Sequence, residues 1–196
     1  MSDKIMRVFL GFDLPREVPH RAAGLRTLVK DPGRAVRWVK GTDIHLTVRF
    51  LGATPQQAVN EIAEGMREQL ASFQSPQVRV TGTGVFPAAT RPRVLWLDVN
   101  GQTERLQALE EAIHQVVGPL GFPREEREFT PHITIGRVRY PQKITPDVTN
   151  FLNAEYTPVE CTLEKLVLFE SRPAGNGVIY DSLASFQLIS AQQEKS

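Results

Sequence analysis

A single cysteine, Cys161, in a chain of 196 residues excludes an internal disulfide, and with it any argument for an oxidising compartment. Its place in an apolar-alternating stretch marks it as a core residue, and no base stands beside it in sequence to make it a nucleophile. Long hydrophobic runs are missing as well. Met1 to Leu14 carries one Lys and a short apolar run closed by Asp13 and Pro15, too brief and too poorly flanked for a signal peptide or a membrane span. The expectation is a cytoplasmic protein with no membrane partner. No Cys cluster and no His-Glu-x-x-His is present, so neither a structural zinc nor a catalytic metal is expected, and no Gly-rich Lys-Ser/Thr loop offers a seat for a nucleoside triphosphate. A strong charge imbalance is also lacking: the net charge of +1 gives no global attraction to nucleic acid, although 17 of the 23 basic residues are Arg, the side chain suited to bidentate phosphate contacts.

What is present is an ordinary globular composition, 41% apolar and 23% charged, enough for one substantial core or two small lobes. Within it stand two copies of one short pattern. His45-Leu-Thr-Val-Arg-Phe50 and His132-Ile-Thr-Ile-Gly-Arg137 each embed His-x-Thr in β-branched and aliphatic residues, which makes each a strand. Alternation puts His45 with Thr47, and His132 with Thr134, on one face, while Leu46, Val48, Ile133 and Ile135 point to the other. One such tripeptide means nothing; two, 87 residues apart (132 − 45), mean more because their surroundings recur. Arg7-Val8-Phe9 is echoed by Arg93-Val94-Leu95, and Gly84-Val85-Phe86 before Arg91-Pro92 by Leu168-Phe169 before Arg172-Pro173. The chain reads as internally duplicated.

Between these landmarks the pattern predicts a buried strand over Met6 to Asp13 and a helix from Pro15 to about Lys30. Val36 to Val39 and Ile44 to Leu51 follow as a hairpin around Lys40 to Asp43, closed by Gly52. Thr54 as N-cap and Pro55 as first helical residue open a helix with Val59, Ile62, Ala63, Met66 and Leu70 on one stripe. Strands over Val78 to Phe86 and Val94 to Val99 precede a second amphipathic helix with Leu106, Leu109, Ile113, Val116 and Val117. Pro131 places the start of a strand at His132. A short helix near Thr145 to Leu152, strands over Thr162 to Phe169 and Val178 to Leu188 around a loop from Arg172 to Gly177, and a polar tail from Ala191 complete the chain.

The expected architecture is α+β and bilobal, one domain over residues 1–190 with pseudo-repeats of about 6–90 and 91–190. Each half is expected to form an antiparallel sheet with outer helices, and the two His-x-Thr strands to face each other across a central cleft. Alternation alone leaves open which sheet holds Val94 to Val99.

Two histidines in one cleft can serve as general base and general acid near neutral pH, and a threonine two residues on offers a hydroxyl to an anionic oxygen. A base, an acid and donors between them suit in-line displacement at phosphorus, so phosphodiester chemistry is the natural reading. The plain alternative, two satisfied structural histidines, does not account for matched threonines. An RNA-end binding module without turnover needs no matched acid and base. His20 and His114 lie within helices and read as surface or boundary residues.

Arg7 to Pro15, Val36-Arg-Trp-Val39 through Gly52, Phe86-Pro87 to Trp96, Leu120-Gly-Phe-Pro123 through Arg137, and Leu166 to Ser171 resemble the bacterial and archaeal RNA 2′,3′-cyclic phosphodiesterases, also called 2′-5′ RNA ligases, of the LigT-like two-histidine phosphoesterase superfamily. The resemblance runs from about residue 6 to 188. It implies a monomer that needs no cofactor and hydrolyses RNA 2′,3′-cyclic phosphate ends, on tRNA fragments or oligonucleotides, to 2′-phosphates. The reverse, an ATP-independent 2′-5′ ligation, uses the same residues. By motif, His45 resembles the proton donor and His132 the proton acceptor; Thr47 and Thr134 resemble phosphate-binding hydroxyls, and Phe50 and Arg137 contacts to the terminal nucleotide. Strict alternation objects to the last two, because an offset of five from each histidine lands on the opposite face. A bulge after Val48 and after Ile135, with Gly136 a suitable place, would remove the objection. Arg49 and Arg139 have the histidines' parity and stand as fallback phosphate contacts, beside the plainer reading of solvated surface charge.

Overall fold

A computed structural model describes residues 4–141, 143–175 and 177–190; the polar tail from Ala191 lies outside them. Nine strands and four α-helices follow in the order β1 (Ile5–Asp13), α1 (Glu17–Arg26), β2 (Val36–Trp38), β3 (His45–Pro55), α2 (Gln56–Gln69), β4 (Gln77–Ala88), β5 (Arg91–Gly101), α3 (Thr103–Val117), β6 (His132–Val138), α4 (Thr149–Leu152), β7 (Val159–Thr162), β8 (Lys165–Ala174) and β9 (Gly177–Gln187). They form two antiparallel sheets, β3-β1-β8-β9 and β2-β6-β5-β4-β7. The α+β class and the two facing sheets are as the sequence implies, and Val94 to Val99 belongs to the second sheet.

The sheets are not the two halves of the chain. β4, the last strand of the first half, pairs with β5, and β8 pairs back onto β1, so the halves exchange their final strands. The expected hairpin of Val36–Val39 with Ile44–Leu51 is likewise absent. The turn is there, as a 3₁₀ turn over Gly41–Asp43, but β2 leaves it to pair with β6 in one sheet and β3 to pair with β1 in the other. Local turn chemistry marks where a chain reverses; it says nothing about which exposed edge supplies the partner. The same limit explains Thr162 to Phe169, which divides at Leu163 between β7, paired with β4, and β8, paired with β1.

Several boundaries also move. β3 runs three residues past Gly52, whose φ of 74° accommodates a skipped residue in the ladder between Phe50 and itself. Pro55 thus takes the N-cap position of α2, and the Thr54 hydroxyl, expected to cap the helix, instead donates to the Gly52 carbonyl at 3.1 Å. α1 ends at Arg26, short of Lys30. The expected loop from Arg172 is largely strand, with Arg172↔Ile179 and Pro173↔Val178 continuing the β8–β9 ladder.

The predicted stripes hold: Val59, Ile62, Ala63 and Met66 of α2 and Leu106, Leu109, Ile113 and Val117 of α3 are buried. They join one continuous core that includes Val8 and Leu10 of β1, Leu46 and Val48 of β3, Leu95 and Leu97 of β5, and Ile133 and Ile135 of β6. Cys161 is buried in it, and burial pushes its thiol up to about 11, the behaviour of an inert core thiol.

Candidate active site

In both motif strands the ladder skips one residue after the threonine. β1 pairs Gly11 with Thr47 and then Leu10 with Arg49, passing over Val48; β5 pairs Trp96 with Thr134 and then Leu95 with Gly136, passing over Ile135. Each bulge buries two consecutive residues, Val48 with Arg49 and Ile135 with Gly136, and reverses the parity beyond them. Phe50, at 41% exposure, and Arg137 therefore return to the open face that carries the histidines and threonines. Gly136 is where a side chain could not go: its β-carbon would stand 2.9 Å from the Trp38 ring.

The same bulge overturns one candidate. Arg49 does not share the face of His45; it is 3% exposed, pairs with Glu110 of α3 at 2.7 Å, and donates a second hydrogen bond to the Pro123 carbonyl. It ties β3 to α3 and to the segment leading into β6. Glu110 interrupts the apolar stripe of α3, the one sign in the sequence that something polar reaches it. Arg139 lies beyond the end of β6 and is exposed, a surface charge. Truncating Arg49 to Ala strands a buried carboxylate, which the Arg124 guanidinium 3.8 Å away compensates in part. The expected cost is ~3–5 kcal/mol of folding stability. Urea unfolding of Arg49→Ala measures it, and a loss under about 1 kcal/mol would show the pair to be dispensable.

β3 and β6 are in contact, and Arg137 of β6 is near enough to His45 of β3 to act on its charge. Each histidine is fixed the same way: His45 Nδ1 lies 2.7 Å from the carbonyl of Asp43, and His132 Nδ1 2.7 Å from that of Thr130. A carbonyl can only accept, so Nδ1 carries the hydrogen in both rings and Nε2 is the nitrogen that this contact leaves able to take up a proton. Thr47 and Thr134, both partly buried, flank them on the same face.

Aromatic rings wall both imidazoles, a feature that apolar runs conceal in the sequence. Phe9 and Tyr180 lie 4.8 and 4.9 Å from His45, centroid to centroid, with Phe169 stacked on Phe9; Phe86 and Trp96 lie 5.2 and 6.1 Å from His132. Phe9 and Phe169 are buried, yet they form a small cluster apart from the main core. The two sides differ in room. Opposite Thr47 stands Gly11; opposite Thr134 stands the Trp96 indole, laid over Gly84, where a β-carbon would fall 2.1 Å from the ring.

Burial among these rings lowers the His45 pKa below its ordinary 6.5. The Asp43 carbonyl and the charges of Asp13 and Asp43 oppose the shift, and Arg137 adds to it. Arg137 on β6 is thus close enough to act on the histidine of β3. Burial also raises the Tyr180 phenol, against the nearby charges of Arg137, Arg7 and Arg37. Arg7 stands over the Phe50 ring, 4.8 Å from its centroid. His20 is exposed and His114 partly buried in α3, the surface and boundary positions expected of them. Among the described residues no group of three or more His, Cys, Asp or Glu converges as a metal site would require, and no helix is long and apolar enough to cross a membrane.

This chain is similar to proteins of known family along nearly its whole length. A model of the 2′-5′ RNA ligase superfamily matches residues 14–174. A protein of Thermotoga maritima named RNA 2′,3′-cyclic phosphodiesterase is 33% identical over 186 residues, covering 93% of this chain and 95% of its own; a protein of Thermus thermophilus with the same name is 30% identical, with 93% and 90% covered. Among solved structures, TT0787 of Thermus thermophilus superposes with a TM-score of 0.79 at 26% identity, covering 95% of this chain and all of that one. LigT of E. coli, at 22% identity, shares the fold with a TM-score of 0.70 over 94% and 99% of the two chains. The paired motifs, the facing sheets and these matches lead to one conclusion: the chain belongs to the 2′-5′ RNA ligase superfamily.

Proposed function

We propose that the protein hydrolyses RNA 2′,3′-cyclic phosphate ends to 2′-phosphomonoesters by general acid and base catalysis without a metal. The observation that carries this reading is the matched anchoring of His45 and His132, each with Nδ1 held by the carbonyl two residues before it and Nε2 left for the cleft. The shared name of the Thermotoga and Thermus relatives supports the substrate class.

In the proposed step, His132 Nε2 takes a proton from a water that attacks phosphorus. The bond from phosphorus to the 3′ oxygen breaks, and protonated His45 gives its Nε2 proton to that oxygen. Thr47 and Thr134 donate hydroxyl hydrogen bonds to the non-bridging oxygens as charge builds on them. Phe50 and Arg137, beyond the two bulges, hold the terminal nucleotide, one by its ring face and the other by its charge. With a 5′-hydroxyl in place of water, the same groups run a 2′-5′ ligation.

His45 must be protonated to act, yet its pKa is lowered, so its acid form is lost as pH rises through a value below 6.5. One limb of the pH profile of kcat/KM, which reports the free enzyme, is therefore expected on the acid side of 6.5. A bound phosphate anion favours the imidazolium, so the same limb should move to higher pH in kcat. Two limbs above 6.5 in kcat/KM would contradict the assignment.

The proposal as a whole is tested by incubating the purified protein with a nucleoside 2′,3′-cyclic phosphate after exhaustive chelation with EDTA. Turnover is expected to persist, since proton transfer and hydroxyl donors do the chemistry. Loss of activity that a divalent ion restores would overturn it.

A further inference from the structure

The strands beside the two motifs carry a second matched pair, which the chemistry above does not use. Asp13 of β1 lies directly opposite His45 of β3, and Asp98 of β5 directly opposite His132 of β6. The two aspartates are 85 positions apart (98 − 13), close to the 87 that separate the histidines, so they hold equivalent places in the duplicated halves. Directly opposed residues of an antiparallel pair share a face, with β-carbons ~4.5–5.5 Å apart. Each motif histidine therefore has an aspartate across its ladder.

The two carboxylates are engaged differently. Asp98 is partly buried and held along its own strand, where the Val99 backbone N–H donates to Oδ1 at 3.0 Å and the Asn100 side-chain amide to Oδ2 at 2.9 Å. Asp13 is exposed at the end of β1, and its charge favours the His45 imidazolium, which burial among the rings disfavours. Three other polar groups face the same ring. The Asp43 carboxylate acts in the same direction as Asp13 but also accepts the Thr42 hydroxyl at 3.0 Å, and the Arg137 guanidinium opposes both. The Tyr180 phenol, raised by its own burial, is uncharged near neutral pH.

Resting on the proposed function, we infer that Asp13 is a positioning residue for the acid: across the β1–β3 ladder it keeps the proton on His45, while its counterpart Asp98 is committed to its own strand. An acid enclosed by aromatic rings needs a counter-charge to be loaded before substrate arrives. A bound phosphate anion supplies one only in the complex, so the contribution of Asp13 belongs to the free enzyme and is read in kcat/KM.

The test compares Asp13→Asn, Asp13→Glu and Asp98→Asn by two readouts, the NMR titration of the His45 ring and the pH profile of kcat/KM for a nucleoside 2′,3′-cyclic phosphate. In Asp13→Asn the His45 titration and the limb assigned to it are expected to move together to lower pH. At about pH 8, kcat/KM should fall about two- to fivefold, the size of one exposed charge pair, and the loss should shrink in about 1 M salt. Asp13→Glu, which keeps the charge, should recover most of it. Asp98→Asn should change neither the His45 titration nor the rate at about pH 8. An unmoved His45 titration in Asp13→Asn, a loss that is the same at every pH and salt concentration, or an equal loss in Asp98→Asn would overturn the role of Asp13 and leave the proposed function standing. A wild-type protein that turns over no cyclic phosphate would overturn the proposed function, and this role with it.

Discussion

Replacing His45 or His132 with alanine is expected to lower the turnover of a 2′,3′-cyclic phosphate by at least ~10²-fold each, the effect typical of losing one acid or base. The folded state should survive both changes. The histidines project from the open face of β3 and β6, whereas the neighbours that build the core, Leu46 and Val48 in one strand and Ile133 and Ile135 in the other, point the opposite way and stay buried. Truncation removes ring contacts with Phe9 and Tyr180, or with Phe86, from a partly open cleft and leaves no sealed cavity. The control is His114→Ala, in α3. Steady-state rates with a thermal melt for each variant measure the outcome. A His114→Ala enzyme as damaged as either cleft variant, or a motif variant of full activity, would show the pairing to be wrong.

The second large effect separates the two roles. If His45 supplies the proton to the leaving 3′ oxygen, a substrate whose leaving group needs no proton should lose little when His45 is removed. A nitrophenyl phosphodiester is such a substrate, its phenolate being stable as the anion. His45→Ala is therefore expected to lose ~10²-fold or more on the natural cyclic ester and under about tenfold on the nitrophenyl ester, while His132→Ala loses heavily on both because the water still needs a base. The different surroundings of the two rings motivate the comparison: His45 is enclosed by three aromatic side chains and depressed in pKa, and His132 meets two. The opposite sensitivity would mean that acid and base are exchanged.

Much of this was legible from the chain alone, and the reasons are local. A His-x-Thr flanked by Val, Leu and Ile announces a strand and its faces, and the stripes of α2 and α3 announce helices, because periodicity depends only on neighbouring residues. The bulges follow only from the family resemblance, which implies contacts at Phe50 and Arg137 and so requires parity to reverse before them. What stayed hidden depends on contacts distant in sequence. Nothing in Lys40 to Asp43 tells that β2 and β3 join different sheets, and nothing in Phe86 or Leu168 tells that the halves trade their last strands. Strict alternation puts Arg49 with the histidines, as a fallback phosphate contact or a solvated surface charge; one skipped residue buries it against Glu110. The rings around His45 were concealed for the opposite reason. In the unbroken apolar run from Val8 to Phe12, a cleft-wall Phe9 looks the same as a core Leu10.

The central claim, that His132 activates water in line with a 3′ oxygen protonated by His45, is tested most directly by the position of the phosphate in the product. Hydrolysis of a nucleoside 2′,3′-cyclic phosphate, followed by chromatography against the two authentic monophosphates, is expected to give the 2′-phosphate alone. A 3′-phosphate, or a mixture of the two isomers, would contradict the assignment of the acid to the 3′ side.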